Sequence, residues 1–238
     1  MGVASGPRFP GIENGLVFAV DPLNQESWLG PDSAVVNNIP PLSSTISGSI
    51  YNDTSGSLGI SGSFTFDGTD DYIEVNGGNL VSSTNPFTIS LWFKADSLNS
   101  GCLMYFKNDL TRAFFIQVLS TGNVNFRSRY SIWIPGETAD SSISTGAWTH
   151  YALVYNGNDV TTLDNFTAFL NGSPSTLQAG LNSAHQYYNT ANYIGRSAIS
   201  GVGNNYFDGQ IGPTMIYNRA LTTLEISQNY NQLKPRFT

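Results

Sequence analysis

The stretch YFDGQIGPTMIYNRALTTLEISQNY, Tyr206 to Tyr230, decides the fold. Its first half reads as a strand and its second half as a short helix. Thr222-Thr223-Leu224-Glu225 matches a capping box. In that motif the Thr222 hydroxyl accepts from the Glu225 amide, and the Glu225 carboxylate reaches back to the Thr222 amide. Leu221 and Ile226 stand at the two positions of a hydrophobic staple. Pro235 ends any continuation, because it has no N–H to donate. Two to three helical turns are unstable alone, so this helix must dock on the rest of the chain. Gly212-Pro213 interrupts the strand. Proline cannot donate to a ladder, so an edge position or a bulge is expected there.

Upstream the apolar pattern has period two, the signature of strands. SFTFDGTDDYIEV reads as a hairpin with Asp67-Gly68 in or beside its turn. In FTISLWFKA, Phe87, Ile89, Leu91 and Phe93 face one way, and Thr88, Ser90, Trp92 and Lys94 the other. Phe114, Ile116 and Val118 share a face. Beyond the Thr121-Gly122-Asn123 turn, Val124, Phe126, Ser128 and Tyr130 share another. WTHYALVYNG and FTAFLNG end in Asn-Gly turns, and NYIG precedes the closing strand. Roughly a dozen short strands with such punctuation predict an antiparallel sandwich or jelly roll. No equal-length repeat supports a propeller or β-helix.

The chain has 238 residues, 40% hydrophobic, which is enough for one large all-β body with a sizeable core. Only 11% of residues are charged, so solubility rests on Ser, Thr, Asn and Gly. That balance suits a protein built into an assembly or working outside cells. A net charge of −7 argues against a nucleic-acid partner, which demands a basic face. No apolar run is long enough to insert in a membrane, and the N-terminus has no secretory pattern. The single cysteine, Cys102, lies in apolar SGCLMYF and reads as a small buried hydrophobe. Residues 1–14 read as an arm, 15–231 as the body and 232–238 as a tail. Within the body, 22–60 is a long irregular excursion with a short strand or two.

In their order, SFTFDGTDDYIEV, FTISLWFK, WTHYALVYNG, FTAFLNG, NYIGR and the closing Tyr206–Tyr230 segment resemble the concanavalin A-like, laminin-G-type jelly roll. The resemblance covers about residues 15–231 and implies an all-β, two-sheet sandwich with one short C-terminal helix. The termini, GPRFPGIENGLVFAVDP and NQLKPRF, resemble stand-alone domains of this type from tailed phages. That second resemblance implies a virion structural protein, a capsid decoration or a tail or fibre component. Its termini would dock it to other virion proteins and its copies would form a homo-oligomer. It would be made in the host cytoplasm and displayed on the virion surface.

Hydrolysis of sugars on this fold needs two carboxylates flanking the glycosidic bond. None of the five glutamates, Glu13, Glu26, Glu74, Glu137 and Glu225, lies within two residues of another acid, so no strand face presents a pair. His150 lies on the Trp148/Ala152/Val154 face and reads as a partly buried structural histidine. No nucleophile elbow is present, so a non-enzymatic role is expected. The resemblance implies calcium at a loop rim, with Asp21, Asp67, Asp70, Asp71 and Asp208 as candidate ligands. Gly212-Pro213 stands where relatives often carry an acid, which counts against that site. Asp-Gly pairs also form turns without any ion. Glycan binding needs aromatic faces beside polar groups. Arg127, Arg129, Tyr130 and Trp133 offer them in RSRYSIWIPG, and Tyr187 and Tyr188 in HQYYNTANY. Core or subunit interface is the competing reading of those aromatics. A virion surface protein that aids attachment to surface glycans is the leading expectation. A stand-alone carbohydrate-binding module or adhesin is second, and a glycoside hydrolase third.

Overall fold

The computed structural model describes residues 11–22, 34–36, 47–51, 62–75, 80–82, 84–107, 113–129, 133–139, 141–158, 162–179, 192–197 and 205–238. In chain order the strands are β1 (Leu16–Val20), β2 (Ala34–Val36), β3 (Ser47–Tyr51), β4 (Phe64–Asp67), β5 (Tyr72–Val75), β6 (Phe87–Ala95), β7 (Cys102–Lys107) and β8 (Ala113–Val118). They continue as β9 (Val124–Arg129), β10 (Trp133–Glu137), β11 (Trp148–Tyr155), β12 (Phe166–Leu170), β13 (Ser173–Ser175), β14 (Gln178–Ala179), β15 (Asn192–Ile194) and β16 (Asp208–Tyr217). Helix α1 (Thr223–Leu233) follows. The first sheet runs β1-β16-β6-β11-β12-β13, with β4 also on β16, and the second runs β14-β10-β9-β8-β7-β15-β5-β3-β2. Strands β2 and β3 lie inside the 22–60 excursion and lengthen the second sheet through β5. No described helix is long and apolar enough to cross a membrane.

The inner faces follow the period-two reading. Phe87, Ile89, Leu91 and Phe93 of β6 lie in one buried cluster with Phe114, Ile116 and Val118 of β8 and Val124 and Phe126 of β9. The β8–β9 register sets Ile116 opposite Phe126 and Val118 opposite Val124, so both apolar sets line one core.

SFTFDGTDDYIEV departs from its hairpin reading. Strand β4 pairs with β16 in the first sheet, whereas β5 pairs with β3 and β15 in the second. The Asp67–Asp71 loop is a corner between sheets. Phe64, Phe66, Ile73 and Val75 all enter the shared core from opposite sides. Asp67 Oδ1 turns the chain by accepting from the Thr69 and Asp70 amides at 2.8 and 3.3 Å.

The outer face of β6 also departs from the pattern, because α1 covers it. The capping box forms as expected: Glu225 N donates to Thr222 Oγ1 at 3.3 Å, and Thr222 N donates to Glu225 Oε2 at 2.9 Å. Leu221 and Ile226 are buried in a second cluster with Trp92, Ala152, Met215, Leu233 and Phe237. Thr88 Oγ1 donates to the Arg219 carbonyl at 2.8 Å and accepts from Leu221 N at 2.9 Å, tying β6 to the helix entry.

Both ends of the body extend past the expected boundaries. Residues 232–238 form no separate tail: α1 runs to Leu233, and Phe237, 7% exposed, stacks on Trp92 with ring centres 4.6 Å apart. At the other end, Ile12 N donates to Asn229 Oδ1 at 2.9 Å, so the body begins before residue 15. Gly212-Pro213 is a bulge and not an edge. Both residues fall between Ile211↔Phe93 and Thr214↔Leu91, opposite the single residue Trp92. There β16 changes its far partner from β4 to β1. A Cβ on Gly212 would stand 3.1 Å from the Phe237 ring, so the small residue admits that side chain.

Candidate functional site

Strands β9 and β10 present a polar row on the outer face of the second sheet. Phe126 enters the core, so its neighbours Asn125 and Arg127 point outward. Asn125 Nδ2 donates to Glu137 Oε1 at 2.8 Å, and Asn123 Nδ2 donates to Glu137 Oε2 at 3.2 Å. Arg127 Nε donates to Asn125 Oδ1 at 3.2 Å, and its guanidinium lies 6.0 Å from the centre of the Phe115 ring. Across the hairpin, Trp133 pairs with Arg129 and Gly136 with Phe126. Any side chain at Gly136 would collide with the Phe126 ring, which explains the glycine in this strand. Arg127 and Glu137 are half-buried, while Asn123, Asn125 and Phe115 are buried.

The backbone register pairs Arg129 with Trp133 and Arg127 with Pro135, and the side chains of Arg129 and Trp133 lie outside what the structure describes. Tyr130, Tyr187 and Tyr188 lie outside the described residues. Sequence reasoning missed Glu137 and the two asparagines that hold it. A signal existed, since Asn123, Asn125 and Arg127 share one strand period. Phe115 is 1% exposed, so it supports Arg127 from beneath and offers no open ring to a sugar.

The acidic candidates divide. Asp67, Asp70 and Asp71 converge, with one carboxylate oxygen from each within 4.8 Å of the others. Asp71 Oδ2 accepts the Asp67 amide at 3.0 Å, so these acids also build the corner itself. Asp208 is the cross-strand partner of Asp67 but falls outside that group. Asp21 is corrected: its carboxylate is 4% exposed and is gripped by Arg236 through two bonds of 2.8 Å. A carboxylate so engaged is not available as a loop-rim ligand.

His150 is fully buried, not partly buried. Its Nε2 and Ser90 Oγ are 2.9 Å apart, and its Nδ1 has no hydrogen-bond partner among the described residues. Burial lowers its pKa from 6.5 to about 3. A serine–histidine contact sealed beneath α1, with no acid on Nδ1, cannot meet a substrate. Cys102 is buried as well, and desolvation pushes its thiol far up, which suppresses the thiolate.

Two antiparallel sheets enclosing one core, closed by a short capped helix, define a concanavalin A-type jelly roll. Residues 67–227 match the family described as the concanavalin A-like lectin/glucanases superfamily. The match spans more than half of the chain, and the chain belongs to that family. No curated protein matches it. Among solved structures, it is similar to one described under the cell entry of botulinum neurotoxin type C and its interaction with two ganglioside molecules. There the TM-score is 0.63 at 14% identity, over 92% of this chain and 51% of that one. The binding domain of Paraclostridial Mosquitocidal Protein 1 gives 0.62 at 18%, over 91% and 52%. Domain 4 of AbnA, an extracellular arabinanase from Geobacillus stearothermophilus solved with arabinotriose, gives 0.56 at 20%, over 92% and 100%. The chain thus spans about half the length of the toxin structures and all of the arabinanase domain. At these identities the likeness is one of fold.

Proposed function

We propose that the chain is a non-enzymatic carbohydrate-binding domain displayed on a virion surface, as a capsid decoration or a tail or fibre component. The observation that carries the glycan reading is the polar row at β9 and β10. A carboxylate, two carboxamides and a guanidinium are fixed there in one hydrogen-bonded line, two of them half-exposed. Sugar hydroxyls both donate and accept, and such a preset line offers both roles. The saccharides named for the neurotoxin and arabinanase structures support the same substrate class. Glu137 and Glu225 are each engaged by structural partners, which supports a binding role over hydrolysis.

The virion placement rests on the resemblance of the terminal segments to phage proteins. Phe237 belongs to the body, so docking to other virion proteins falls chiefly to the N-terminal arm. Copies of the chain associate there as a homo-oligomer. Calcium belongs at Asp67, Asp70 and Asp71, where the carboxylate spacing admits a hard cation.

A glycan array with the wild-type chain and its Arg127→Met and Trp133→Ala variants tests the binding. Binding to a defined subset, lost in the variants, is expected; no binding to any glycan overturns the reading. Deleting residues 1–10, which spares the Ile12 and Asn14 contacts of the body, should abolish co-sedimentation with particles, and unchanged occupancy overturns the docking. Release of reducing ends from any bound glycan overturns the non-enzymatic role.

A further inference from the structure

Arg196 stands on the same outer face of the second sheet as Arg127 but farther along it, one residue beyond the Gly195 that follows β15. Gly195 has a φ of +85° and the Phe66 ring packs against it, so the backbone launching Arg196 is set by a position only glycine fills easily. The Arg196 guanidinium lies 4.0 Å from the centre of the Tyr72 ring and 4.3 Å from that of Tyr193. Those two rings meet edge to face, 5.6 Å apart. Tyr206, bridged to Arg196 through the backbone, adds a third ring 6.5 Å from Tyr72. The side chain is thus clamped by rings from two strands.

A cation–π contact satisfies charge but takes no N–H donor. Among the described residues the Arg196 guanidinium forms no hydrogen bond and no ion pair, and its Nε is shut off from solvent without an acceptor. The other clamped arginines differ. Arg219 grips Glu225 with bonds of 3.0 and 2.6 Å, and Arg236 grips Asp21 with two of 2.8 Å. Each spends its planar fork on a carboxylate. Glu74, two positions beyond Tyr72 on β5, makes no ion pair with Arg196. Arg196 has the same fork, with no carboxylate in it among the described residues.

We infer that Arg196 is the receptor for the carboxylate of an acidic sugar residue. A planar fork matches a carboxylate in a bidentate manner, and rigid clamping reduces the entropy lost on binding. Tyr72 and Tyr206, both half-exposed, flank the guanidinium, so the sugar that carries the carboxylate would meet aromatic rather than charged neighbours there. The inference rests on the glycan-binding reading and goes beyond it, because it assigns a second locus and a charge requirement.

The test titrates a glucuronate-bearing oligosaccharide, and the same oligosaccharide as its methyl ester, into the full chain by calorimetry. Wild type should bind the acid at least about tenfold more tightly than the ester. Arg196→Lys, which keeps the charge and loses the fork, and Arg196→Met, which keeps the stem, should both erase that difference without lowering Tm. Equal affinity for acid and ester overturns the inference and leaves carbohydrate binding standing. No binding of either form also overturns the inference, while the glycan-binding reading stands or falls on the array. Glutarate, a carboxylate without a sugar, should bind far more weakly than the oligosaccharide; equal binding overturns the sugar assignment. The acid–ester comparison uses the unaltered protein, so it decides even if the arginine variants fail to fold.

Discussion

Acid should destabilise this domain through one residue, His150. The side chain is 0% exposed, sealed between β6 and β11 below and α1 above. Its ring lies 5.4 Å from Trp92 and 5.6 Å from Tyr230, and no carboxylate pairs with it among the described residues. Burial holds it neutral down to a pKa of about 3, against 6.5 when exposed. The unfolded chain therefore binds a proton below pH 6.5 that the folded chain refuses. Its stabilising contribution is complete above 6.5 and is lost as the pH falls. Each unit costs ~1.4 kcal/mol, so two units, to pH 4.5, cost ~3 kcal/mol. Glu225, held at about 2 by Arg219 against an ordinary 4.5, begins to lose its contribution only below that window. Urea unfolding of wild type and His150→Gln between pH 7.5 and 4.5 measures the difference. Wild type should lose ~3 kcal/mol more than the variant over that range. Parallel pH profiles refute the reasoning. So does an NMR titration in which His150 of the folded protein protonates near 6.5, a measurement that needs no variant.

The remaining predictions concern the helix, the C-terminus and the acidic corner. Thr222→Ala should cost ~1 kcal/mol, read as a lower urea midpoint, because the first helical turn loses its cap acceptor. Phe237→Ala should cost ~3–5 kcal/mol and alter the near-UV circular dichroism of Trp92 and Trp148, whose ring centres lie 4.6 and 4.5 Å from it. An unchanged midpoint would show that the C-terminus does not close the sheet. Calcium should raise Tm of the wild type and leave Asp67→Asn unmoved; superposable melts in calcium and in chelator would remove the metal from the proposed function.

Part of the site was readable from sequence and part was not. Arg127, Arg129 and Trp133 stand out in sequence because they fall within seven positions of one short polar-aromatic stretch. Asp67, Asp70 and Asp71 are closer still. Arg196 did not stand out, because an arginine is distinguished by lacking an acceptor only when its surroundings are known. In sequence Asp21 reads as any turn acid; only the fold brings Arg236, 215 residues away, to hold it. Alternation sets Thr88, Ser90, Trp92 and Lys94 on the outer face of β6, yet nothing in that alternation says that α1 and Phe237 cover Trp92 there.

The sequence alone determined where α1 starts and which side chains of β6, β8 and β9 face the core. Capping and staple partners lie within five residues, and the pleat alternates with every residue, so both are local properties. Tertiary structure decided which strand neighbours which. Alternation in Phe64–Val75 is satisfied equally by a hairpin or by two strands in opposite sheets, since either arrangement buries Phe64, Phe66, Ile73 and Val75. Contacts with β16, β15 and β3, between distant parts of the chain, select the second. The same holds for the arginines. Which forks are filled and which stands open depends on residues that meet only once the sheets have closed.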